Sequence, residues 1–570
     1  HRFPLFFILI FTAINFVDAE KFENTTNCVY RSNAGVESFE FICERNKSRR
    51  EFFDNSNSIY CQAFDHYYYK ERRHEINFKD CYIKMLPTIF KWYKAVRKLN
   101  VSTVGLEGLR SRNFDYAENL VTLIASNNEI TEIPSSLFAD SKKIANLDFS
   151  CNKIQRIDPL AFDTENVLIS INFSNNLICE IDQQTFVTLN QLEILDLSHN
   201  LIETISPGLF SETIKLRELK LNVNQLKIIH CEAFSKLIKL EYLTFSMNRL
   251  HELDMSCISS EKPFALFVTN NLLSTLKLSK NLAEIHAAEN DIDLMFVNSS
   301  LDCLTVFEVP GNHIKNIIEI IGRLGTSVKS MVISDSPIGK LNVSTFAKFA
   351  NLEHLALVNT NLSNIQYGTF HHQQKLRALD LSDNNLMKIN FGILQWSAQL
   401  LQSLYLDGNM LADLTNLTKA NFPALEFLSI DRNLFDCDYL SKIQRTLKND
   451  GITFTTNANL VENIRNSQTH INGITCYHGN VRSNLDTIAN TAARTDELRQ
   501  NYRTVDNSAD LASLRKVEYL LICIIVMLVC LVVVSITKNF VPVTQRRRFF
   551  HWSRTDSVHY RSEADDQSFA

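Results

Sequence analysis

The chain has 570 residues, with 58 lysines and arginines against 63 aspartates and glutamates, and its formal net charge is −5 at pH 7. Nucleic-acid-binding proteins usually carry a basic excess on one face, so this balance argues against a nucleic-acid partner. Hydrophobic residues make up 45% and charged residues 21%, which is enough apolar material to bury a core and excludes a disordered chain.

The N-terminal segment has the pattern of a secretory signal peptide. An apolar run over 3–17 follows a basic start and ends in small residues near Ala19. We predict a signal peptide at 1–19 and a mature chain that starts at Glu20. The sequence starts without a methionine, so we expect the signal to be truncated at its start. A buried N-terminal helix is the rival interpretation, and the polar, sequon-bearing stretch that follows disfavours it.

A secreted chain permits disulfides, so its cysteine positions become informative. Residues 20–75 are predicted to form an N-terminal cap. The cysteines of this cap, together with one from the first repeat, can be paired in three ways. Their order along the chain favours Cys28–Cys43 with Cys61–Cys81.

A repeated unit fills the middle of the chain. Asparagine recurs in one column of the pattern L-x-x-L-x-L-x-x-N-x-L, at Asn128, Asn152, Asn176, Asn200, Asn224, Asn248, Asn271, Asn290, Asn312, Asn384, Asn409 and Asn433. Val104, Ser336 and Thr360 occupy that column where asparagine is missing, and Cys81 occupies it in the first unit. The spacing predicts an α/β solenoid, a leucine-rich-repeat horseshoe of about 16 units over 76–435, with a parallel concave sheet and cysteine-containing caps.

The residue types within a unit have physical reasons. Leu195 and Leu197 are separated by one polar residue, so both point inward from a short strand. We expect Asn200 to satisfy backbone groups buried by the turn that follows. Ten residues after the asparagine column a phenylalanine recurs, at Phe114, Phe138, Phe162, Phe186, Phe210, Phe234, Phe346 and Phe370. The constant offset predicts a stacked aromatic spine on the convex side, and makes a cofactor-binding aromatic box the weaker interpretation.

The units between Asn248 and Asn312 depart from this regularity. Their columns are 23, 19 and 22 residues apart, where 24 is usual, and the phenylalanine column lapses. We expect the curvature to change there, dividing two regular arms. A hinge, a dimer contact or a ligand site is one interpretation, and simple drift of the repeat is the other.

The chain beyond the repeats is predicted to have four parts. A C-terminal cap at 436–478 is expected to be closed by a Cys437–Cys476 disulfide, and a polar stalk at 479–518 follows. The segment 519–537 is predicted to be a transmembrane helix, because it contains an uninterrupted apolar run of 18 residues, about 27 Å long as a helix.

The predicted topology is a single-pass plasma-membrane protein. Lys538 and three arginines follow the apolar run, as expected for a cytoplasmic flank. The N-terminus would then be extracellular and the tail at 538–570 cytoplasmic. That tail is too short for a folded signalling domain, so we expect any signalling to need a co-receptor.

The repeats contain five further cysteines. Cys231 and Cys257 lie in adjacent units and are the candidate pair. The odd number of extracellular cysteines leaves at least one thiol without an intramolecular partner. We expect this thiol to be buried and inert, and an intermolecular disulfide is the alternative.

Eight N-x-S/T sequons predict N-glycosylation, at Asn24, Asn46, Asn100, Asn172, Asn298, Asn342, Asn361 and Asn416. Asn100 and Asn172 fall on exposed strand positions, where glycans would shield the N-terminal part of the concave face. No sequon falls on the corresponding strand positions from Asp196 onward.

The sequence has no glycine-rich phosphate loop, H-E-x-x-H, C-x-x-C or nucleophile elbow. We therefore predict no catalytic residues, no cofactor and no metal site, and turn to the exposed positions of the concave strands. Aromatic, histidine and arginine residues there are candidate ligand-binding anchors, namely Tyr242, Phe267, His354, Tyr405, Phe427 and Arg432. Tyr405 and Phe427 come from neighbouring units and are expected to form one patch near the C-terminal cap. Scattered surface aromatics are the alternative.

Several segments resemble a known group of proteins. These are Ile76–Pro87 (INFKDCYIKMLP), the 24-residue units, the short repeats around Asn271 and the start of the cap, CDYL at Cys437–Leu440. Over roughly 70–480 the chain is similar to insect extracellular leucine-rich-repeat proteins, closest in layout to the mosquito leucine-rich-repeat immune proteins. The resemblance implies innate recognition through complement-like partners in the extracellular fluid.

The chain departs from the secreted members of that group in two ways. They have adjacent cysteines after the repeats and a long coiled coil, whereas here Tyr477 follows Cys476 and the stalk lacks sustained heptads. The resemblance is therefore to a membrane-anchored variant.

These observations predict a cell-surface, receptor-like protein that binds an extracellular protein or glycoconjugate ligand. It would act as a co-receptor or tether in innate immune recognition. The alternative is a cell-adhesion molecule that acts through contacts between solenoids. Clustering of transfected cells without added ligand would favour adhesion.

Overall fold

The structure is a computed structural model that describes 74–478 with short gaps at 80–82, 87, 92, 163–166, 395–397 and 456–468, and the backbones of two strands at 28–32 and 38–43. The signal peptide, the stalk, the transmembrane segment and the tail predicted above lie outside the described residues, as do Asn24, Asn46, Cys61 and Cys81. Within the described ranges, no helix has the length and apolar character needed to cross a bilayer.

The main sheet has 19 strands, and each pairs with the next along the chain. Only its first pair is antiparallel, and its register places Cys28 opposite Cys43. The strands are Cys28–Ser32, Ser38–Cys43, Glu75–Lys79, Lys98–Asn100, Thr122–Ile124, Asn146–Asp148, Ser170–Asn172, Ile194–Asp196, Glu218–Lys220, Tyr242–Thr244, Phe264–Phe267, Leu282–His286, Val306–Val309, Ser330–Ser334, His354–Val358, Ala378–Asp380, Ser403–Tyr405, Phe427–Ser429 and Thr453–Phe454.

One strand per repeat, stacked in parallel, makes a leucine-rich-repeat solenoid of about 15 turns, close to the number predicted. Leu195 lies between Ile171 and Leu219 in register, and all three side chains are fully buried. Each unit therefore covers its apolar face only with its neighbours, and one continuous core runs through the repeats.

The asparagine column forms a ladder of hydrogen bonds between repeats. Oδ1 of Asn200 accepts from the backbone N–H of Ile178 at 3.0 Å, and Nδ2 donates to the carbonyls of Phe173 at 2.9 Å and Leu197 at 3.1 Å. Ile178 and Phe173 belong to the preceding repeat. The same arrangement recurs at the other asparagines of the column. The predicted role of the column is confirmed.

Serine replaces asparagine in the column at Ser336. Its Oγ accepts from the N–H of Ile314 and donates to the carbonyl of Asn312, both at 3.1 Å. The serine hydroxyl thus supplies one acceptor and one donor, fewer hydrogen bonds than the asparagine carboxamide makes but of both kinds. The column therefore tolerates serine in place of asparagine.

The residue before the column takes a left-handed backbone. At non-glycine residues of this position φ lies between +51° and +59°, even at the β-branched Val223, where that conformation is sterically unfavourable. Gly408 occupies the same position with φ of +64°. A Cβ on Gly408 would collide with Oδ1 of Asp383 and lie 3.1 Å from Nη1 of Arg432.

The phenylalanine column is buried and stacked, as predicted. Phe186 and Phe210 have ring centroids 6.3 Å apart with nearly parallel planes, and the separation between Phe210 and Phe234 is 6.0 Å. Short turns carry this column in the regular repeats. Ser111–Phe114 and Cys231–Phe234 are 3₁₀ helices, as is Phe391–Leu394, in which Leu394 takes the place of the phenylalanine.

The short middle repeats are built differently from the regular ones. Their main-sheet strands have four or five residues, against three in the regular repeats before them. On the opposite face a parallel three-stranded sheet, Glu252–Asp254, Thr275–Leu278 and Leu294–Val297, replaces the phenylalanine turns. Strands are spaced about 4.8 Å apart on both faces, so the repeats of this segment are equally thick on each side. Two short pairs lie on the same face elsewhere, Glu132–Ile133 with Arg156–Ile157 and Thr204–Ile205 with Ile228–Ile229.

A short helix, Ile317–Arg323, follows the middle sheet. Gly325 lies two residues after the end of this helix, where its repeat packs against the preceding repeat. A Cβ on Gly325 would lie 2.5 Å from Cα of Asp302 and 2.8 Å from the carbonyl oxygen of Leu301. The stacking therefore requires glycine, whereas Gly322 in the helix has open space where a Cβ would be.

A helix, Cys437–Asn449, and a hairpin, Thr469–Ile471 with Ile474–Cys476, close the C-terminal end. Asp436 caps the start of the helix, and its carboxylate accepts from the backbone N–H groups of Asp438 and Tyr439. Cys437 and Cys476 are joined by a disulfide, the pair favoured by the sequence, with 5.0 Å between their Cα atoms.

The hairpin is also tied to the last repeat by hydrogen bonds. Oδ1 of Asp431 accepts from both the N–H and the hydroxyl of Thr475, each at 2.8 Å. The N–H of Tyr477 donates to the carbonyl of Phe435 at 3.0 Å. The cap thus supplies backbone partners that the next repeat would have supplied.

Candidate ligand-binding surface

The exposed side of the main sheet carries five of the six predicted anchors. Alternation along each strand turns Tyr242, Phe267, His354, Tyr405 and Phe427 outward, because the intervening leucines point inward. Tyr242 is 51% exposed and Phe427 is 40% exposed. Their contribution to ligand binding stays a prediction.

Phe267 stacks on His286, a residue the sequence did not single out. The ring centroids are 4.5 Å apart and the planes are almost parallel. Nδ1 of His286 lies 2.8 Å from Oε2 of Glu308, and Nε2 lies 3.6 Å from Oε2 of Glu284. The hydroxyl of Ser330 donates to the other oxygen of Glu308 at 3.2 Å. Four successive repeats thereby contribute to one group of side chains in contact.

The charge of this group follows from its surroundings. Burial alone would lower the pKa of His286, but the carboxylates of Glu284 and Glu308 outweigh it and raise the pKa to about 9. Burial likewise opposes ionisation of Glu308, and hydrogen bonding and charge from His286 lower its pKa overall. At neutral pH His286 is therefore an imidazolium, and Phe267 rests against a fixed cation.

Small side chains cover the sheet beyond this group. The row that continues from Glu308 runs through Val332, Ala356 and Asp380 to Tyr405. The parallel row includes Ser330, Ala378 and Ser403, with His354 as its one large side chain. We call this surface the trough. Its walls are Phe267 with His286 on one side and Tyr405 with Phe427 on the other. Its floor consists of the small side chains Ser330, Val332, Ala356, Ala378 and Ser403, interrupted by His354 and Asp380. Five strand spacings separate His286 from Tyr405, so the two walls are about 24 Å apart.

Tyr405 and Phe427 form the C-terminal wall diagonally rather than side by side. In register, Tyr405 lies beside Ser429 and Phe427 lies beside Ser403. Their Cα atoms are therefore one strand and two residues apart, about 8 Å. Both side chains remain on the outward face, within reach of one ligand.

Arg432 lies in the loop after its strand, with its charge already paired. Its Nη1 donates to Oδ1 of Asp383 at 2.6 Å, passing over Gly408 to reach two repeats back. The pKa of Arg432 is raised because Asp383 outweighs the effect of burial. This ion pair ties the loop after the strand Phe427–Ser429 to the repeat of Asp383, and a direct ligand contact by Arg432 stays a prediction.

Two carboxyl groups lie beside the C-terminal wall, the half-buried Asp380 in register with Tyr405 and the buried Asp407 in the loop after it. Burial raises the pKa of Asp380 and of Asp407, and in both cases hydrogen bonds from serines oppose it. Oδ1 of Asp407 also accepts from the N–H of Asp431 at 2.7 Å. These groups hold the loops in place.

The sequons divide the sheet face as predicted from their positions. Asn100 and Asn172 lie on strands in the N-terminal part, and each Oδ1 accepts from the N–H two residues on. Asn298, Asn342, Asn361 and Asn416 are exposed and lie outside the strands of the main sheet. Whether any of these eight asparagines is glycosylated stays a prediction, and the trough itself holds no sequon.

The cysteines within the repeats are only partly as expected. Cys231 and Cys257 form a disulfide between adjacent units. The expectation that a leftover thiol is buried was wrong for Cys179 and Cys303, which are exposed thiols. Both residues lie in surface segments outside the strands, and hydrophobic character alone does not place a cysteine inside. Pairing of Cys28 with Cys43 concerns side chains outside the described part of the chain and stays a prediction.

Nothing in the described residues points to catalysis. Within them, no group of three or more histidine, cysteine, aspartate or glutamate side chains could hold a metal ion. Leucine-rich-repeat solenoids are typically non-enzymatic scaffolds for protein interactions. The arrangement of the trough is suited to holding a ligand on a rigid sheet.

The stacked strands and the buried asparagine ladder define the chain as a leucine-rich-repeat solenoid protein. The family model "Leucine rich repeat" matches residues 118–178, 166–226 and 326–386. No curated protein sequence matches the chain significantly.

Solved structures with the same fold come from proteins of several kinds. In the complex of the mosquito immune proteins LRIM1 and APL1C, the matching chain is 19% identical, with 82% of this chain and 76% of that chain covered and a TM-score of 0.50. A chain of the TLR13–ssRNA13 complex is 22% identical, with 67% and 53% covered and a TM-score of 0.50. A leucine-rich-repeat protein of Leptospira interrogans is 18% identical, with 66% and 93% covered and a TM-score of 0.50. At these identities the likeness shows the fold.

Proposed function

We propose that this protein is a cell-surface, receptor-like protein that captures an extracellular protein or glycoconjugate ligand in the trough. It acts as a co-receptor or tether in innate immune recognition, alongside a signalling partner. The observation that carries the proposal is the trough itself, a sequon-free floor of small side chains between two aromatic walls.

The walls have the properties of binding anchors. Aromatic side chains lose little entropy on binding and bury a large area, so they dominate most interface energies. Phe267 is held by His286 and the carboxylates beside it, and the Arg432–Asp383 ion pair braces the loop next to Phe427. Both walls are therefore organised before a ligand arrives, which reduces the entropic cost of binding.

The proposed location at the plasma membrane rests on the sequence. A signal peptide at 1–19 and a single span at 519–537 would place the repeats outside the cell with the C-terminus in the cytoplasm. The support for an immune role is the resemblance to the mosquito leucine-rich-repeat immune proteins. Solenoid ectodomains bind partners as rigid surfaces, which agrees with a protein-binding role.

The test uses cells that display the full-length chain. Such cells are exposed to extracellular fluid, and bound material is cross-linked and identified by mass spectrometry. The double variant Tyr405→Ala/Phe427→Ala is compared with wild type at equal surface level. Loss of two anchors should weaken capture at least about tenfold, since central anchors are each worth about 2 kcal/mol or more.

Tyr367 provides the matched control, because it is a strongly exposed tyrosine outside the main sheet. Tyr367→Ala should capture the ligand as wild type does. Equal capture by all three chains would refute a role for the trough, and absence of the chain from the cell surface would refute the proposed location.

A further inference from the structure

An exposed apolar patch lies on the opposite face of the short repeats, away from the trough. Leu294 and Phe296 point outward from the strand Leu294–Val297 and are 41% and 43% exposed. Ile318, 45% exposed, lies on the helix Ile317–Arg323 that packs against this strand. Exposed aromatic and aliphatic side chains grouped in this way mark a surface that something covers.

The backbone around the patch is already satisfied. The side chain of Asn316 donates to the carbonyl of Met295 at 2.8 Å and accepts from its N–H at 3.3 Å, which closes the edge of the three-stranded sheet. A further strand therefore has no free pair of groups to join at Met295. What covers the patch must do so through the side chains.

The ring of Phe296 is left open by its neighbour in the sheet. In register Lys277 lies beside Phe296, but its Nζ pairs with Oδ2 of Asp254 at 2.9 Å, on the side away from Phe296. The lysine stem is thus drawn off the ring. An aromatic face with this exposure can accept C–H groups that carry partial positive charge.

The sequon at Asn298 lies next to this ring. Exposure alternates along 294–298, so that Leu294, Phe296 and Asn298 are exposed while Met295 and Val297 are buried. Residues two apart in extended chain are about 6.6 Å apart, well within the size of the first sugar of an N-glycan. Asn298 is the one sequon in the described residues with an exposed aromatic side chain two positions before it.

We propose that an N-glycan on Asn298 covers the patch, with its first N-acetylglucosamine stacked on Phe296. A carbohydrate suits this surface because one face of the sugar ring presents C–H groups and its edges present hydroxyls to water. The glycan thus keeps the apolar side of the short repeats soluble while the trough stays bare. This inference rests on the proposed secretion of the chain, not on ligand binding by the trough.

The modification is a group transfer from a lipid-linked oligosaccharide pyrophosphate. A bond forms between Nδ2 of Asn298 and C1 of the first sugar, and the bond from C1 to the pyrophosphate oxygen breaks. One amide proton is lost from Nδ2, and the lipid pyrophosphate leaves with the bonding electron pair. Asn298 is exposed, and Ser300, the third residue of the sequon, supplies the required hydroxyl.

The experiment measures the rate at which an amidase that removes N-glycans acts on each site of the folded full-length protein. The protein is produced in secretory cells and solubilised in detergent, and site occupancy is followed by peptide mass spectrometry. Asn342, exposed and preceded two positions earlier by Lys340, is the internal reference. Stacking should make release at Asn298 roughly three- to tenfold slower than at Asn342.

Variants of the ring separate stacking from general shielding. Phe296→Thr, which suits an exposed strand position, should remove the delay at Asn298 and leave Asn342 unchanged. Phe296→Tyr keeps the ring and should keep the delay, and after unfolding all sites should react alike. An unoccupied Asn298 in the secreted wild-type chain, or equal rates for wild type and Phe296→Thr, would overturn the proposal and assign the patch to a protein partner. A failure of ligand capture by the trough leaves these outcomes unchanged.

Discussion

Replacement of Asn200 by alanine tests the hydrogen-bond ladder on which the stacking of repeats depends. The change removes the acceptor of the Ile178 N–H and the donor to the carbonyls of Phe173 and Leu197, all in a buried site. Each buried group left without a partner costs about 1–3 kcal/mol. With one N–H and at least one carbonyl orphaned, we expect a loss of about 3–5 kcal/mol in the local free energy of unfolding.

Hydrogen exchange of the two repeats that meet at Asn200 is the appropriate assay, because long solenoids need not unfold in two states. The expected loss corresponds to exchange at least about 100-fold faster at Ile178 and its neighbours. Asn200→Ser should lose less, since Ser336 fills the same column with two hydrogen bonds. Asn190→Ala, at an exposed site, is the matched control. If Asn200→Ala exchanged like wild type, or if serine were no better than alanine, the role given to the ladder would be wrong.

Three further predictions follow from the packing and charges described above. Gly325→Ala should destabilise the chain by about 2 kcal/mol or more in denaturant unfolding, because a Cβ has no room there. Gly322→Ala, in a helix with open space at that position, should be neutral or stabilise by up to about 1 kcal/mol. Equal effects of the two substitutions would contradict the geometry. Replacing Cys437 and Cys476 by serine should cost about 3–4 kcal/mol in the stability of the C-terminal cap, given the sequence separation of 39 residues, and unchanged exchange of cap amides would refute this. The pKa of His286 is raised to about 9 in the folded protein from an ordinary 6.5, so its stabilising contribution is fully present below pH 6.5 and disappears as pH rises through 9. The thermal midpoint of unfolding should therefore fall between pH 7 and 10 more steeply in wild type than in His286→Phe. Parallel curves for the two proteins would refute the assignment.

The regular part of the fold was predictable because each column of the repeat has one physical task. Asn200 and Phe210 recur at fixed offsets, and the structure gives each the buried role that its chemistry suggests. Local propensity had little part in this prediction. A side chain that must be satisfied or buried in every repeat leaves a periodic trace that a sequence reveals directly.

The candidate site was less predictable, because it depends on register between repeats of unequal length. His286 and Glu308 were missed, since the shifted spacing of the short repeats hides which residues lie side by side. Arg432 was placed on the ligand-binding face, but its partner Asp383 is two repeats away and is reached only because Gly408 has no side chain. The sequence alone did not indicate the floor of the trough. Small residues such as alanine and valine form a recognisable surface only when the positions of their large neighbours are known.

The exposed thiols show a further limit of reasoning from residue type. A leftover thiol was expected to pack as a small hydrophobe, yet Cys179 and Cys303 both lie on the surface. The repeat pattern specifies its inward columns strictly and leaves the intervening positions almost unconstrained. The choice of residue at those positions depends on solubility or on contacts with other molecules.

The asparagine ladder has a direction, since each carboxamide reaches toward the preceding coil and none reaches forward. Truncation is therefore asymmetric. A cut that removes coils from the amino-terminal end deprives the next asparagine of its partners, whereas a cut from the carboxy-terminal end also removes the hairpin whose Thr475 binds Asp431. Shortened forms of this protein should consequently tolerate loss of their first coils far better than loss of the hairpin beside Asp431.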